Sequence, residues 1–312
     1  IGVYLKENGS TDFVIGIINA SFFAGAILSS IFSQKIISTV GHIRSFSVFA
    51  AIMVVTFLLH SIYLNELFWG ILRLVSGFAY YGLLIILESW LNEKSQNEYR
   101  GQTLAMYSII FYLSTAIGQM ILNIEGIVKD MIFSIGSVLV LISLILIAIT
   151  KIKEPNIIAF ERYSLPKLGE IAPLALLGSF IAGFMVGGFF TMIPLYILDR
   201  LETIDNLVTF MVVSLIGGLL AQFPIGKLSD HYGRRLLIAY VGAFVTLISS
   251  LFLLGENSQL YIFLLGGMLG MGIFCIYPLS VARANDVNDE NTNVVEISRS
   301  LLFIYAIGSF IA

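Results

Sequence analysis

Two ionisable side chains, Arg73 and Glu88, lie inside the long apolar segment 67–91. An arginine inside a membrane costs about 2.5 kcal/mol or more and usually faces an aqueous cavity. Arg73 could therefore hold an anionic group or tune a proton carrier, and Glu88 could itself carry a proton. Two structural alternatives stay open: Arg73 could extend to the outer headgroups, and Glu88 could pair with Arg44 or Lys35 at the membrane surface.

The helical period indicates which residues accompany Arg73. At about 100° per residue, one face of a helix would present Arg73 together with Ser76, Gly77, Tyr80, Leu84 and Glu88. Glu88 follows Arg73 by about fifteen residues, roughly 22 Å along a helix. The two side chains are therefore not expected to pair with each other.

Other candidates for a cavity lining are aromatic or weakly polar. They are Tyr80, Tyr81, Tyr107, Tyr112, Gln119, Phe189, Phe190, Phe274, Tyr277 and Tyr305, with Asn19 and Ser21. Any one aromatic residue at helical spacing more often packs in a core than lines a binding site. As a set, however, these residues favour a cavity for a partly apolar molecule over one for a polyanion.

A charged cluster occupies residues 226–235, with the sequence Gly-Lys-Leu-Ser-Asp-His-Tyr-Gly-Arg-Arg. It separates two apolar runs, 207–225 and 236–254, and each run has the ~20 residues that a bilayer-spanning helix needs. The cluster is therefore predicted to be a turn that reverses the chain at the membrane surface. Its Arg234 and Arg235 could form charge pairs there, or they could simply bind anionic headgroups.

The composition predicts an all-α polytopic membrane protein. Hydrophobic residues make up 58% of the chain and charged residues only 12%, against about 25% charged in soluble domains. Only helices or closed barrels satisfy the backbone in lipid, and the alternation of barrel strands is not seen. Ten spans are predicted, at 12–32, 45–63, 67–91, 101–124, 130–150, 171–197, 207–225, 236–254, 260–282 and 295–312.

The basic residues predict the orientation of these spans. If the connections alternate between sides, thirteen of the 17 Lys and Arg residues fall on one side and three on the other, with Arg73 inside a span. Cytoplasmic loops carry the excess of Lys and Arg, so the first side is predicted to be cytoplasmic. The connection 151–170 lies on that side and separates five spans from five.

Matches between the two groups of five spans indicate an internal repeat. At an offset of 192 residues, Gly25 falls on Gly217 and Gly41 on Gly233, and residues 116–118 match residues 306–308 at an offset of 190. The predicted domains are therefore an N-terminal bundle (1–150), a cytoplasmic linker (151–170) and a C-terminal bundle (171–312). Equivalent helices have the same orientation, so the two bundles would be related by a pseudo-twofold axis.

The cluster at 226–235 resembles the cytoplasmic signature of the major facilitator superfamily, Gly-x-Leu-(Ala/Ser)-Asp-(Arg/Lys)-x-Gly-(Arg/Lys)-(Arg/Lys). Residues 34–44 resemble a degraded copy that keeps Gly41 and a basic residue but lacks the acid. In the superfamily the complete copy is usually in the first half. The spacing of Arg73 and Gly77 is also similar to the superfamily's fourth-helix signature, whose arginine faces the central cavity.

Shorter strings resemble a narrower branch, the bacterial YcaD-type group. They are Glu88-Ser89-Trp90-Leu91-Asn92, Arg100-Gly101-Gln102, Tyr107, Gly118-Gln119, residues 221–226 and Ile276-Tyr277-Pro278. The resemblance implies the superfamily's fold with two halves related as a parallel repeat. It also implies twelve helices, so the chain would lack the first and the last and contain ten. The branch implies no named substrate.

The resemblance assigns a gating role to Gly226, Asp230, Gly233, Arg234 and Arg235. Pseudo-symmetry would place Asp230 near the start of the helix that begins near Gly101, where a carboxylate gains about 0.3–1 kcal/mol. Such contacts would form only when the cytoplasmic side is closed. The site candidates for substrate and coupling are Arg73, Tyr80, Glu88, Tyr107, Gln119 and Tyr277.

The predicted function is secondary active transport of a small organic molecule by alternating access, coupled to protons and in the export direction. The alternatives are an uptake symporter or facilitator and a non-transporting membrane sensor or scaffold. No enzyme activity, cofactor, metal or nucleic-acid partner is predicted, because neither metal-ligand spacing nor a nucleotide phosphate loop occurs. We expect a monomer in the bacterial plasma membrane, with a small-molecule substrate, a proton as coupling ion and the lipid bilayer as partners.

Overall fold

The computed structural model describes residues 1–94, 100–124, 129–149, 169, 172–254, 258–287 and 294–312. The chain divides into two compact units, Ile1–Ser108 with Gly126–Arg162 (unit 1) and Ile109–Glu125 with Tyr163–Ala312 (unit 2). Secondary structure in the described ranges is helical throughout, without strands. The all-α fold class predicted from composition is therefore confirmed.

Twelve α-helices are described. They are α1 (Gly2–Glu7), α2 (Asp12–Val40), α3 (His42–Ile62), α4 (Glu66–Lys94), α5 (Arg100–Met120), α6 (Lys129–Ile149), α7 (Pro173–Thr191), α8 (Ile193–Leu201), α9 (Ile204–Tyr232), α10 (Arg234–Phe252), α11 (Gln259–Asp286) and α12 (Val294–Ile311). A 3₁₀ turn, Ile121–Asn123, extends α5. The predicted linker 151–170 lies outside the described residues except for residue 169.

Nine helices in the described part of the chain are long and apolar enough to cross a membrane. They match the first nine predicted spans. The tenth, predicted at 295–312, is helical in α12. Its described apolar stretch, Ser300–Ile311, is shorter than the 18 residues required of the other nine. The nine matches support a multi-pass membrane protein.

Two predicted boundaries differ from the structure. The span predicted at 171–197 is interrupted at Met192, where α7 ends and α8 begins with Pro194 in its first turn. Proline fits the first turn of a helix because its missing N–H would have no partner there. The cluster predicted to be a turn is helical up to Tyr232, since α9 continues through it, and the chain reverses at Gly233 alone.

The helices repeat along the chain at the offset that the glycine matches indicated. Asp12–Val40 and Ile204–Tyr232 both contain 29 residues and begin 192 residues apart. Each begins after a threonine, Thr11 or Thr203, whose side chain accepts a hydrogen bond from a backbone N–H of the first turn. Threonine is a favoured N-cap because it satisfies one of these otherwise unpaired donors.

The two long helices also end in the same way. Gly41 follows the first of them with φ 89°, and Gly233 follows the second with φ 90°. Only glycine adopts such φ values at no steric cost. Each glycine joins a long helix directly to the next one, α2 to α3 and α9 to α10.

Inside unit 1, α2 packs along α4, and α3 packs against α4 and α6. The α2–α4 contact is so close that glycine is required on both helices. A Cβ at Gly25 would overlap the carbonyl oxygen of Leu74, and a Cβ at Gly77 would overlap that of Phe22. Small residues permit this backbone approach in membrane helices.

Inside unit 2, α9 packs along α11 with the equivalent pair of glycines, and α11 also packs against α7 and α10. A Cβ at Gly217 would overlap the carbonyl oxygen of Gly267, and a Cβ at Gly270 would overlap that of Ser214. Both units are therefore built around the same reciprocal glycine contact, at positions 192 and 193 residues apart.

Candidate functional site

Arg73 lies on α4 with its guanidinium over an aromatic ring of α2. Its Cζ is 4.3 Å from the centroid of Phe22, which is within the range of a cation–π interaction. The side chain is half-buried, and its Nε is buried without a hydrogen-bond partner among the described atoms. No acidic side chain of the described residues forms an ion pair with it. Among the described residues, the positive charge of Arg73 therefore has no acidic partner.

Phe22 connects Arg73 to two tyrosines of α4. The centroid of its ring is 5.7 Å from that of Tyr80 and 6.1 Å from that of Tyr81. The backbone approach at Gly77 brings these rings together, because α2 and α4 touch there. The predicted face of Arg73, Gly77 and Tyr80 therefore meets α2 at one residue, Phe22, which sequence reasoning had not selected.

Glu88 lies half-buried near the end of α4. Its carboxyl group is within electrostatic range of the phenol groups of Tyr80, Tyr81 and Tyr107. The ion pair with Arg44 or Lys35, considered as a structural alternative, is absent among the described residues. Tyr80 lies about two helical turns before Glu88 on α4, and Tyr107 lies on α5.

In unit 2 the predicted lining residues form aromatic clusters. Tyr277 and Tyr305 contact each other edge to face, with ring centroids 4.9 Å apart. A second cluster joins Phe274 to Tyr112 at 5.5 Å and to Phe189 at 5.3 Å. The three polar candidates differ in burial, since Gln119 near the end of α5 and Ser21 in unit 1 are half-buried, whereas Asn19 in unit 1 is buried. The predicted lining residues of unit 2 are therefore aromatic rings, hydroxyl groups and one amide, with no charged group among them.

The signature residues of unit 2 form a charged network at the ends of three helices. Arg234 donates from Nη2 to Oδ1 of Asp230 at 2.9 Å and from Nε to Oδ2 of Asp286 at 2.6 Å. Its Nη1 also donates to the hydroxyl of Ser229 at 3.1 Å, and that hydroxyl donates to the carbonyl of Gly226 at 2.6 Å. One guanidinium thus joins the end of α9, the start of α10 and the end of α11.

The other signature residues contribute unequally to this network. Gly233 is required by its positive φ, whereas a Cβ at Gly226 would meet no described atom within 4 Å. Arg235 is exposed. Sequence reasoning missed Asp286, although an acid at the end of an apolar helix, level with the signature in the predicted topology, was the available signal. The expected approach of Asp230 to the helix near Gly101 is not tested, because the side chains there lie outside the described residues.

Metal chemistry finds no support in the part of the chain that the structure describes. No group of three or more His, Cys, Asp or Glu residues that could hold a metal ion occurs there. Cys275 is buried.

Comparisons with known proteins agree with these features. The sequence model of the Major Facilitator Superfamily matches residues 1–312. An uncharacterized MFS-type transporter of Enterobacter sp. (strain 638) is 26% identical over 315 residues, which cover 100% of this chain and 81% of the relative. The uncharacterized MFS-type transporter YcaD of Escherichia coli (strain 55989 / EAEC) is 23% identical over 313 residues, with the same two coverages.

Solved transporter structures have the same fold. The nucleoside transporter NupG superimposes with a TM-score of 0.77 at 15% identity, covering 99% of this chain and 82% of that one. The xylose transporter XylE from E. coli gives a TM-score of 0.71 at 11% identity, covering 96% and 80%. At these identities the likeness shows the fold alone. Because the family's sequence model matches the whole chain, this multi-pass helical protein belongs to the major facilitator superfamily.

Proposed function

We propose that this chain forms the core of a secondary transporter that moves a small organic molecule by alternating access, driven by a proton gradient. Membership of the superfamily supports secondary transport in general. The sequence contains no nucleotide phosphate loop, which supports an ion gradient as the source of energy. We also propose a monomer with two bundles, 1–150 and 171–312, whose linker 151–170 is cytoplasmic, as the thirteen-to-three distribution of basic residues indicates.

The observation that carries this proposal is that Arg73 has no acidic partner among the described residues. A charge inside a membrane is costly unless it is paired or hydrated, and no acid of the described residues pairs with Arg73. Its buried Nε has no hydrogen-bond acceptor among the described atoms. An anionic group of the substrate would supply the missing partner through a charge-assisted hydrogen bond.

The rings beside Arg73 favour a substrate with an apolar or aromatic body. Phe22, Tyr80 and Tyr81 lie next to the guanidinium, and such rings stack on flat apolar groups. The phenol groups of the two tyrosines could donate hydrogen bonds to polar substituents. The first substrate class to test is therefore small organic acids with a planar apolar part.

The charged network of unit 2 supports a conformational cycle in which helix ends move as a block. Arg234 connects three helices through Asp230 and Asp286. Such a connection keeps the ends of α9, α10 and α11 in fixed relation while the transporter changes state. We propose that this block stabilises the state with the cytoplasmic side closed, which is the gating role expected for the signature.

A second candidate function, export of amphipathic cations in exchange for protons, is favoured by Glu88. Its carboxyl group has no ion-pair partner among the described residues. A carboxylate that binds either a proton or a cation would couple the two movements in opposite directions. Arg73 and Glu88 thus favour substrates of opposite charge, which makes the two candidates separable.

The test is transport by the full-length protein in proteoliposomes, with and without an imposed pH gradient. The panel contains aromatic monocarboxylates, amphipathic amines, nucleosides and sugars. We expect gradient-driven accumulation of a carboxylate that Arg73→Gln abolishes and Glu88→Gln leaves measurable. The reverse result, amine movement that depends on Glu88 alone, would establish the second candidate.

Arg200→Gln is the matched control for Arg73→Gln. Arg200 also places its guanidinium over a ring, with Cζ 5.2 Å from the centroid of Tyr196, but it lies in the short helix α8. Loss of this arginine should leave transport within twofold of the wild type. If the wild-type protein moves no solute of the panel in either direction, the proposal of transport is contradicted.

A further inference from the structure

A groove in unit 2 runs between α9 and α10, with α11 as its floor. Its volume is about 410 Å³, which lies within the range of roughly 300–1,000 Å³ that is usual for small-molecule sites. The residues that line it include Leu220 and Pro224 of α9, Tyr240 and Phe244 of α10, and Met271 and Gly272 of α11. None of the lining residues is charged. The groove therefore fits a hydrocarbon chain.

The groove lies where α9 and α10 stay apart. Both helices pack extensively against α11 but touch each other little. Leu220 and Tyr240, on the two walls, are 64% and 62% exposed. Because α9 and α10 are both long and apolar enough to cross a membrane, an open apolar groove between them is expected to face lipid chains.

Two aromatic rings of unit 1 occupy positions that correspond to the groove. At offsets of 192 and 193 residues, Val241 and Met271 of the groove correspond to Phe49 and Phe78. The rings of these two phenylalanines contact each other edge to face in the core of unit 1, with centroids 5.7 Å apart. Unit 2 has a smaller and an unbranched side chain at the same positions. The choice of side chains in unit 2 thus contributes to the open space.

Lys227 lies on α9 one helical turn beyond the groove. It follows Pro224 by three residues and Leu220 by seven, and at about 100° per residue these side chains share one face of the helix. Lys227 is exposed and makes no ion pair with any described residue. The chain reverses at Gly233, about 9 Å further along the helix, so the flexible stem of Lys227 can hold its ammonium group at the membrane surface. A positive charge therefore stands at the end of the apolar groove.

We propose that the groove binds one acyl chain of an anionic phospholipid whose headgroup pairs with Lys227. Lipid tails are as apolar as the side chains of the groove, so the chain alone would not distinguish one phospholipid from another. The preference comes from the ammonium group, and one lysine near an anionic membrane surface gives a factor of about five. The distribution of basic residues predicts that this end of the helices is cytoplasmic, and the cytoplasmic leaflet carries the anionic lipids.

The test is photocrosslinking of the full-length protein in phosphatidylcholine vesicles. The probe is phosphatidylglycerol with a diazirine in the middle of one acyl chain, and phosphatidylcholine with the same labelled chain is used at the same mole fraction in a parallel sample. Mass spectrometry of peptides then locates the adducts. We expect them on peptides that contain residues 220–225 and 240–244, with about five times more adduct from phosphatidylglycerol than from phosphatidylcholine.

Three variants separate the headgroup from the chain. Lys227→Gln should make the two probes label the groove equally, because the charge is lost and the groove remains. Arg235→Gln is the matched control, since Arg235 is also exposed near the same turn but lies about 140° around α10 from Tyr240 and about 180° from Phe244; the preference for phosphatidylglycerol should persist. Met271→Trp should reduce labelling by both probes severalfold, because Met271 is 37% exposed on the groove floor and a larger ring would fill the space.

Several results would overturn the inference. Equal labelling by the two probes in the wild type, or a preference that persists in Lys227→Gln, would remove the headgroup contact. Adducts spread evenly over all spans would show ordinary lipid contact without a site. A groove without adducts in a protein that crosslinks as a dimer would assign the groove to a second copy of the chain.

Thermal unfolding of the wild type in detergent is a second measurement that needs no variant. A ligand that binds only the folded state raises the unfolding midpoint. Phosphatidylglycerol should therefore raise the midpoint more than phosphatidylcholine does, and inorganic phosphate should leave it unchanged. An equal rise with inorganic phosphate would assign Lys227 to a free anion and contradict the lipid. Transport plays no part in either test, so failure here leaves the proposed function standing.

Discussion

Units 1 and 2 share a backbone plan but place their ionisable groups at different levels. In unit 1, Arg73 and Glu88 lie within the span formed by α4. In unit 2, Asp230, Arg234 and Asp286 lie at helix ends, where the chain reverses at Gly233. The repeat therefore preserves helix lengths and close contacts, while these named ionisable groups of the described residues lie at different levels in the two copies.

The position of Arg73 shows this division within a single helix contact. At the offset of 193 residues that relates Gly77 to Gly270, Arg73 corresponds to Gly266. A Cβ at Gly266 would overlap the ring of Phe210, which is fully buried. In unit 2 an aromatic ring therefore occupies the space that corresponds to the charged side chain of Arg73 in unit 1.

At the helix ends, unit 2 carries an arginine and an aspartate where unit 1 carries a histidine and a serine. At the offset of 192 residues, Arg234 corresponds to His42 and Asp230 to Ser38. His42 is buried, and its Nε2 is 3.2 Å from the hydroxyl of Ser89 on α4. Among the described residues, this position thus makes a hydrogen bond between uncharged or weakly basic groups in unit 1 and two ion pairs in unit 2.

The largest expected effect tests whether the reciprocal glycines are equivalent in the two units. Gly77→Leu and Gly270→Leu would both place side-chain atoms on a backbone carbonyl, which cannot move away without separating two helices. Overpacking typically costs about 1–3 kcal/mol, and a clash with backbone should exceed this range. We expect both variants to lose most of the monodisperse protein in detergent, as measured by size-exclusion chromatography.

Gly242→Leu is the matched control for both glycine variants. It lies within α10, and a Cβ there would meet no described atom within 4 Å. Its yield and thermal midpoint should stay near those of the wild type. If Gly270→Leu kept its yield of monodisperse protein while Gly77→Leu lost it, the two contacts would not be equivalent.

An intermediate effect is expected where the helix ends differ. Arg234→Gln leaves Asp230 and Asp286 facing each other, so we expect a loss of about 1–2 kcal/mol in unfolding free energy. The loss stays modest because the side chains of the two acids are 66% and 42% exposed, and water weakens such pairs. The measurement is thermal unfolding in detergent at low and high salt.

The salt dependence of the unfolding free energy distinguishes the two units in that measurement. Ion pairs weaken at high ionic strength, so the difference between Arg234→Gln and the wild type should shrink as salt is added. His42→Gln, which can keep a hydrogen bond to Ser89, should show a difference independent of salt. Equal salt dependence of both variants would contradict the contrast drawn between the units.

The smallest expected effect concerns the two capping threonines. Thr11→Ala and Thr203→Ala each remove a cap, and a lost cap typically costs about 0.5–2 kcal/mol. The oxygen–nitrogen distances of 3.4 Å and 3.3 Å are long, so we expect the lower end, about 0.5 kcal/mol, in both cases. Thr→Ser at either position should restore stability, and a cost above 1 kcal/mol at one site alone would break the equivalence.

Much of the fold could be predicted from the sequence because span length and apolar runs are local properties. Nine predicted spans correspond to helices, and the offset of 192 residues found from glycines is the offset of the long helices. The helical course of the signature was missed, since charged residues suggest a turn where a helix in fact continues past the apolar run. The interruption at Met192 was missed because the residues around Pro194 are as apolar as those of an uninterrupted span.

The candidate site was less predictable because its contacts join distant residues. Arg73 and Tyr80 were recognised from one helix, but their shared neighbour Phe22 lies on another. Asp286 pairs with Arg234 across 52 positions. Periodicity describes one helix at a time and cannot indicate which faces of two helices meet.

The sequence by itself determined that this chain spans a membrane, that its helices repeat, and which ionisable residues lie within the spans. These properties follow from hydropathy, length and the order of residues along the chain. Only the tertiary structure decided the partners of the charged residues: a ring for Arg73 and two acids for Arg234. The reason is physical, since the cost and the use of a buried charge depend on what surrounds it in space.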